Sequence, residues 1–216
     1  MADYKNYIFT VDVETGGLPS KLKKKAVHEV ALMEIAWVVI DNDTLEIVEK
    51  DSWLIKPYDD NLIYDPFAAK ASNITKEMCE EQGVSIEEAF EGTLKLLKKY
   101  KKGRKKPYLA GQNILKFDLD FIEGFFEWNK KDASDFFHEE IIDTMVWSRH
   151  RWPEEGKHNL AVISERCGLE HTEAHRALPD TIITGQVVID FIKGMRGMGS
   201  KVEEKEEVRF RDTFEI

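Results

Sequence analysis

Before Pro57 the chain carries only strand-forming patterns, and after it helical and strand patterns alternate. That order constrains the fold more than any other feature. Residues 6–14, Asn-Tyr-Ile-Phe-Thr-Val-Asp-Val-Glu, are rich in β-branched and aromatic side chains and predict a first strand. Thr15-Gly16-Gly17 breaks it, and a lysine cluster over 20–26 reads as a solvated loop. Residues 29–41, with Val30, Leu32, Ile35, Trp37, Val38, Val39 and Ile40, predict a long second strand. Asp41-Asn42-Asp43 has turn chemistry, and residues 45–55 return as a third strand.

Short helical patches follow at 68–71 and 76–81. Ser85 with Glu88 forms a capping box that opens a helix reaching about Tyr100. Tyr108–Gly111 predicts a fourth strand. Aromatic residues at 117, 121, 125, 126 and 128 mark one face of a helix. Ile141-Ile142 predicts a fifth strand that runs into a helix. A short helix over Asn159–Cys167 ends at Gly168, and a last helix spans Ala177–Phe191. Strands first, then helices interleaved with strands, imply a mixed α/β sheet with helices on its faces.

Composition narrows the functions. At ~150 residues per domain, the 216 residues suit one domain with a short appendage, divided as 1–194 and a polar tail, 195–216. Acidic residues outnumber basic ones, 41 to 31, for a net charge of −10. That balance argues against a protein that grips long duplexes non-specifically. It is compatible with one that holds only a strand end, with bound metal ions supplying positive charge. The strongest basic run, residues 98–106, is either a nucleic-acid contact or a solvated helix end. Two cysteines, Cys79 and Cys167, exclude a disulfide scaffold and fit a reducing compartment. No run approaches the ~20 apolar residues of a membrane span, and the first residues lack a signal-peptide core. The expectation is a cytoplasmic protein without a membrane partner.

Three segments hold candidate chemistry. Asp12 and Glu14 lie two apart on the first strand, so both point to one side of it. They are either a solvent-facing strand end or a pair awaiting a cation, since adjacent carboxylates repel. Asp118 opens the helix after Gly111-Gln112-Asn113, where an acid also simply favours a helix N-terminus. Asp120 competes with it, but two residues turn about 200° around a helix, so the two cannot face one site. His175 precedes Pro179-Asp180. Proline in a first turn places Asp180 at the start of the last helix and His175 on the loop before it. That histidine is either a surface residue or a general base. Asp143 reads as structural or supporting.

Rival motifs fail. His171 and His175 are four apart, but glutamate does not directly follow the first histidine as a metalloprotease helix needs. The chain has no glycine-rich phosphate loop and no Gly-x-Ser-x-Gly elbow.

Asp12-x-Glu14, then Asn113-x-x-x-Phe117-Asp118, then His175-x-x-x-x-Asp180 together resemble the DEDDh branch of the DnaQ-like 3′–5′ exonuclease family. The resemblance also covers Glu34-Ile-Ala36, residues 69–75, Asp143-Thr144 and Asn159-Leu160, and spans roughly residues 7 to 192. The Asn113–Asp118 spacing is one residue longer than the commonest family form, but Phe117-Asp118 stays adjacent, which selects Asp118 over Asp120.

The resemblance implies a ribonuclease-H-like fold: a mixed five-stranded sheet, its first three strands antiparallel, flanked by helices. It implies that Asp12, Glu14, Asp118 and Asp180 hold two divalent cations, Mg²⁺ or Mn²⁺, ~4 Å apart, with His175 taking the proton of the attacking water. It also implies that Thr15, Gly16, Gly17 and Leu18 hold the terminal nucleotide, with Gln112 and Asn113 as further strand contacts. The expected function is hydrolysis of terminal DNA phosphodiesters, preferably of single strands, to nucleoside 5′-monophosphates. The alternatives are an RNA 3′-end-trimming enzyme and a non-catalytic adaptor, the latter opposed by the intact acid set. Val208, Phe210, Phe214 and Ile216 in the tail could recruit a polymerase or another protein.

Overall fold

The computed structural model describes residues 6–20, 26–101, 105–170 and 176–197. His175, the His171–His175 pair, most of the lysine cluster at 20–26, the centre of the basic run and the tail beyond residue 197 lie outside them.

Five strands, β1 (Tyr7–Thr15), β2 (Leu32–Asp41), β3 (Glu46–Leu54), β4 (Tyr108–Gly111) and β5 (Ile141–Asp143), form one sheet in the order β3-β2-β1-β4-β5. The first three pair antiparallel, and β4 and β5 add in parallel. This is the mixed sheet expected from the sequence. Seven α-helices surround it among the described residues: α1 (Pro66–Ser72), α2 (Lys76–Gln82), α3 (Ile86–Tyr100), α4 (Asp118–Trp128), α5 (Thr144–Arg151), α6 (Leu160–Arg166) and α7 (Ala177–Met195). The Ser85 hydroxyl caps α3 by accepting the N–H of Glu88 at 3.1 Å, as the capping box predicts.

Two boundaries differ from expectation by three residues or more. The second strand starts three residues late, because Ala26–His28 closes a 3-10 turn and Val30 instead bridges to Ile63. The last helix runs on to Met195, and Arg196 then donates to the Asn42 carbonyl at 2.7 Å and to its Oδ1 at 3.0 Å. Both differences come from contacts distant in sequence.

The period-2 alternation of β1 divides its side chains between two cores. Tyr7, Phe9, Val11 and Val13 face a core shared with Phe90 of α3 and Phe121, Phe125 and Phe126 of α4. Phe9, Trp37 and these α4 aromatics are fully buried, each side chain stabilising the fold by ~1.5–3 kcal/mol. On the other side Ile8, with Val38 and Ile40 of β2, packs against Val188 and Ile192 of α7. Thr10, Asp12 and Glu14 continue that second face. The two acids therefore look toward the helix that carries Asp180.

α7 comes close to the sheet because residue 185 is glycine. A Cβ there would stand 3.3 Å from Thr10 Oγ1 and 3.4 Å from Val38 Cγ1.

Candidate active site

β1 runs alongside β2 as far as Thr15 but pairs with β4 only as far as Thr10. Beyond Thr10 no strand among the described residues pairs with that edge of β1, and the site is built there. Asp12, Glu14 and Asp180 each present a carboxylate oxygen there, all within 4.8 Å of one another. Asp180 arrives in the first turn of α7, directly after Pro179, in the helix that begins at Ala177.

Asp118 is the first residue of α4 and is buried. Its Oδ1 accepts the N–H of Val13 at 3.3 Å, so it stands beside the trio, bonded to the backbone between Asp12 and Glu14. Asp120 points elsewhere: its Oδ2 accepts the N–H of Ala26 at 2.9 Å. The two acids take opposite directions, as the helical angle requires.

These carboxyls are poorly suited to carrying charge by themselves. Burial, then repulsion from Asp118, Glu14, Asp180 and Glu34, pushes Asp12 well above the usual carboxylate range. Burial, then Asp180 and Glu34, pushes Glu14 up to about 7, against the opposing pull of the Arg176 guanidinium. Burial pushes Asp118 up to about 7 as well, although hydrogen bonds from its own N–H and that of Val13 oppose the shift.

An all-carboxylate donor set whose members repel one another is the ligand chemistry that hard divalent cations prefer. The residues present fit a metal, with Asp12, Glu14 and Asp180 as its first candidates for ligands and Asp118 beside them.

The loop after β1 is shaped by its glycines. The Gly16 carbonyl accepts the N–H of Asp65 at 2.6 Å, and its N–H donates to the Ala31 carbonyl at 2.8 Å. A Cβ at Gly16 would stand 2.2 Å from the Ile63 carbonyl oxygen, so only glycine lets the two backbones meet. Gly17 has φ +147°, which disfavours any side chain. Thr15 Oγ1 closes the turn by donating to the Gly17 carbonyl at 2.9 Å.

Leu18 then projects, 80% exposed. Phe67 is 82% exposed on α1, whose cap, Asp65, is the residue bonded to Gly16. Phe67 is a candidate that sequence reasoning missed; as one aromatic in a short helix it carries no periodic signal.

On the opposite flank, Gln112 is held within the fold. Its Oε1 accepts from Thr144 Oγ1 at 2.5 Å and its Nε2 donates to the His158 carbonyl at 2.8 Å. Asn113 sits in the left-handed region with φ 57°, and its N–H donates to Asp143. Buried Asp143 also accepts from Leu115, Met145 and Val146, four backbone N–H groups in all. It fastens the loop leading to Asp118 onto the start of α5, the supporting role its sequence position suggested. Residues 98–101, the described start of the basic run, lie elsewhere. Tyr100, at its start, packs on Tyr7 at the beginning of β1, whereas Asp12 and Glu14 are near that strand's other end.

Glu34 is the other residue the sequence did not single out for chemistry. It is 3% exposed and pairs in register with Glu14. Its carboxylate receives both Nε and Nη2 of Arg176, at 3.1 and 2.9 Å, and the N–H of Ala177 at 3.1 Å.

The same architecture occurs in known nucleases. The nuclease domain of 3′hExo, a DEDDh family member bound to rAMP, superposes with a TM-score of 0.70 over 89% of this chain and 94% of that one, at 15% identity. The zinc-bound complex of Escherichia coli exonuclease I with single-stranded DNA gives 0.69 over 89% of this chain and 41% of that one, at 18% identity. The fold is therefore ribonuclease-H-like.

Among curated sequences, the 3′–5′ exonuclease DinG of Bacillus subtilis is 29% identical over 192 residues, covering 89% of this chain and 18% of DinG. A PolC-type DNA polymerase III of Staphylococcus aureus is 28% identical over 188 residues, 87% of this chain and 11% of that polymerase. The chain thus spans less than a fifth of the length of these relatives. DEDDh exonucleases use divalent metal ions, and the acidic cluster accords with that use. The RNase T family model, described as exonuclease, matches residues 9–188, nearly the whole length from β1 to α7, and the chain belongs to that exonuclease family.

Proposed function

We propose that the protein is a metal-dependent 3′–5′ exonuclease that hydrolyses the terminal phosphodiester of single-stranded DNA and releases nucleoside 5′-monophosphates. The observation that carries this reading is the convergence of Asp12, Glu14 and Asp180 within 4.8 Å at the C-terminal end of β1. Two divalent cations, Mg²⁺ or Mn²⁺, would activate the attacking water and stabilise charge at phosphorus and on the leaving 3′ oxygen. Asp12, Glu14, Asp118 and Asp180 would hold them.

The chain's own residues do the rest. The Thr15–Leu18 turn receives the terminal nucleotide in a narrow backbone cradle. Phe67 offers an exposed aromatic face on which a base can stack without sequence preference, and Leu18 offers exposed apolar surface. Asn113 remains a strand contact in this reading. Gln112 contributes by bracing that loop, since its amide is already engaged. His175 takes the proton of the attacking water.

DNA is favoured as substrate because the curated relatives are a 3′–5′ exonuclease and DNA polymerases. RNA is the second reading, supported by the similarity to a nuclease domain bound to rAMP. Residues 1–194 form the exonuclease unit in this account, working in the cytoplasm. The tail, 195–216, recruits a polymerase or another protein through its apolar residues. Among the described residues no helix is long and apolar enough to cross a membrane.

Digestion of matched DNA and RNA oligomers, single-stranded and duplex, tests the substrate assignment. Faster shortening of single-stranded DNA supports it, and preference for RNA would replace it with the second reading.

A further inference from the structure

Seven large apolar side chains are exposed among the described residues, and five belong to segments bordering the acid cluster. Singly such residues mean little, but grouped they mark a contact surface. Leu18, Ile63 and Phe67 make one flank. The Ile63 carbonyl crowds Gly16, and the helix carrying Phe67 is capped by Asp65, which is bonded to Gly16. Leu115 and Val146 make the other flank, and the proposed reaction gives them no task.

The second flank is built by one buried carboxylate. Asp143 ends β5, in register with Gly111 of β4. Its Oδ2 accepts the N–H of Leu115 at 3.3 Å, and its Oδ1 accepts that of Val146 at 3.3 Å. Two apolar residues distant in sequence are thereby brought together. They also stand near the acids. Leu115 comes three residues before Asp118, and β5 is two strand spacings, about 10 Å, from β1.

Basic groups border this apolar strip. Thr144 and Ser148 are the buried residues of α5, whereas Val146, Arg149 and His150, three and four residues apart, share its outward face. Arg149 Nη2 meets the weak acceptor Met145 Sδ at 3.3 Å, a contact that does not neutralise its charge. Lys116, next to Leu115, is exposed as well. Apolar surface beside cations suits the two faces of a nucleic-acid strand, its bases and its phosphates.

We propose that Leu115 and Val146 form a second substrate platform, which receives the bases of the nucleotides next to the terminal one while Lys116 and Arg149 attract their phosphates. The inference rests on the reading of the protein as an exonuclease and adds a cause for its single-strand preference. Bases can reach apolar walls on both flanks of the acids only when they are unpaired.

The test is steady-state cleavage of a single-stranded DNA oligomer over a range of salt concentrations, with Mn²⁺ affinity by calorimetry and a melting curve for each variant. The variants are Leu115→Ser/Val146→Ser and Lys116→Gln/Arg149→Gln. All four side chains are exposed, so both proteins should fold. Leu115→Ser/Val146→Ser should raise KM by roughly five- to ten-fold, the scale of covering two partly exposed apolar side chains, at every salt concentration. Lys116→Gln/Arg149→Gln should reduce the slope of log KM against log salt by about 1.4, two phosphate contacts on a single strand. In both, kcat and Mn²⁺ affinity should stay near wild type.

Wild-type KM in Leu115→Ser/Val146→Ser would overturn the proposal, as would an unchanged salt slope in Lys116→Gln/Arg149→Gln. A fall in kcat or Mn²⁺ affinity with KM unchanged would also overturn it, assigning these residues to the support of Asp118. Failure of the wild-type protein to shorten the oligomer would overturn the exonuclease reading and the platform with it, a failure distinct from the other three.

Discussion

The carboxylate of Asp118 accepts the backbone N–H of Val13 at 3.3 Å, tying the first turn of α4 to the backbone between Asp12 and Glu14. One bond thus sets the spacing of acids more than a hundred residues apart in sequence. It forms because β4 pairs with β1 only as far as Thr10, which leaves the Val13 N–H free to take a side-chain acceptor.

Asp118→Asn should abolish cleavage, because the amide cannot supply anionic oxygen to a metal. Asp120→Asn should cleave at the wild-type rate and lose about 1 kcal/mol of stability from its weakened bond to the Ala26 N–H. Parallel turnover assays and melting curves check both. An inactive Asp120→Asn beside an active Asp118→Asn would reverse the assignment.

The raised carboxyls predict a pH signature in metal-free protein. Unfolded carboxyls titrate near ~4, whereas Glu14 and Asp118 are pushed up to about 7 and Asp12 is raised in the same direction. Protonation therefore favours the native state. The stabilisation is complete below the unfolded values and is lost as pH rises through about 7. In EDTA, the melting temperature of wild type should fall more steeply between about pH 5 and 8 than that of Glu14→Gln/Asp118→Asn. Equal slopes would mean the acids are not strained in the native state.

How legible the site is in the sequence depends on how local its causes are. Asp12 and Glu14 share a face by strand periodicity, and Pro179 marks the start of α7, so both are readable from short segments. Asp118 over Asp120 follows from helix geometry and a motif. Glu34 is not readable as a clamp, because its partner lies 142 residues on and a lone acid in an apolar strand has no local explanation. The 3-10 turn at Ala26–His28 escapes the sequence for a similar reason: the Val30–Ile63 bridge that draws the chain out of the strand is a tertiary contact.

Asp143 supplies a stability prediction. Asp143→Ala leaves the N–H groups of Asn113, Leu115, Met145 and Val146 without their acceptor. The loss of a cap and of buried hydrogen bonds should cost about 2–4 kcal/mol, and Asp143→Asn should cost less because its amide oxygen still accepts. Chemical denaturation measures it. A change under about 0.5 kcal/mol, the scale of an ordinary surface substitution, would contradict the bracing role.

Leu18 and Phe67 should act on substrate and leave metal binding alone. Stacking contributes ~1–3 kcal/mol per base, so Phe67→Ala should raise KM for a single-stranded oligomer by roughly ten-fold with Mn²⁺ affinity unchanged. Leu18→Ala should act in the same direction. Unchanged KM in both would place the strand elsewhere on the surface.

The central claim is polarity together with metal dependence, and one digest reads both. A 5′-labelled single-stranded DNA incubated with Mn²⁺ should shorten stepwise from its 3′ end, releasing nucleoside 5′-monophosphates. EDTA or Asp12→Asn should stop it. Early release of the labelled 5′ nucleotide, or undiminished cleavage in excess EDTA, would contradict the account.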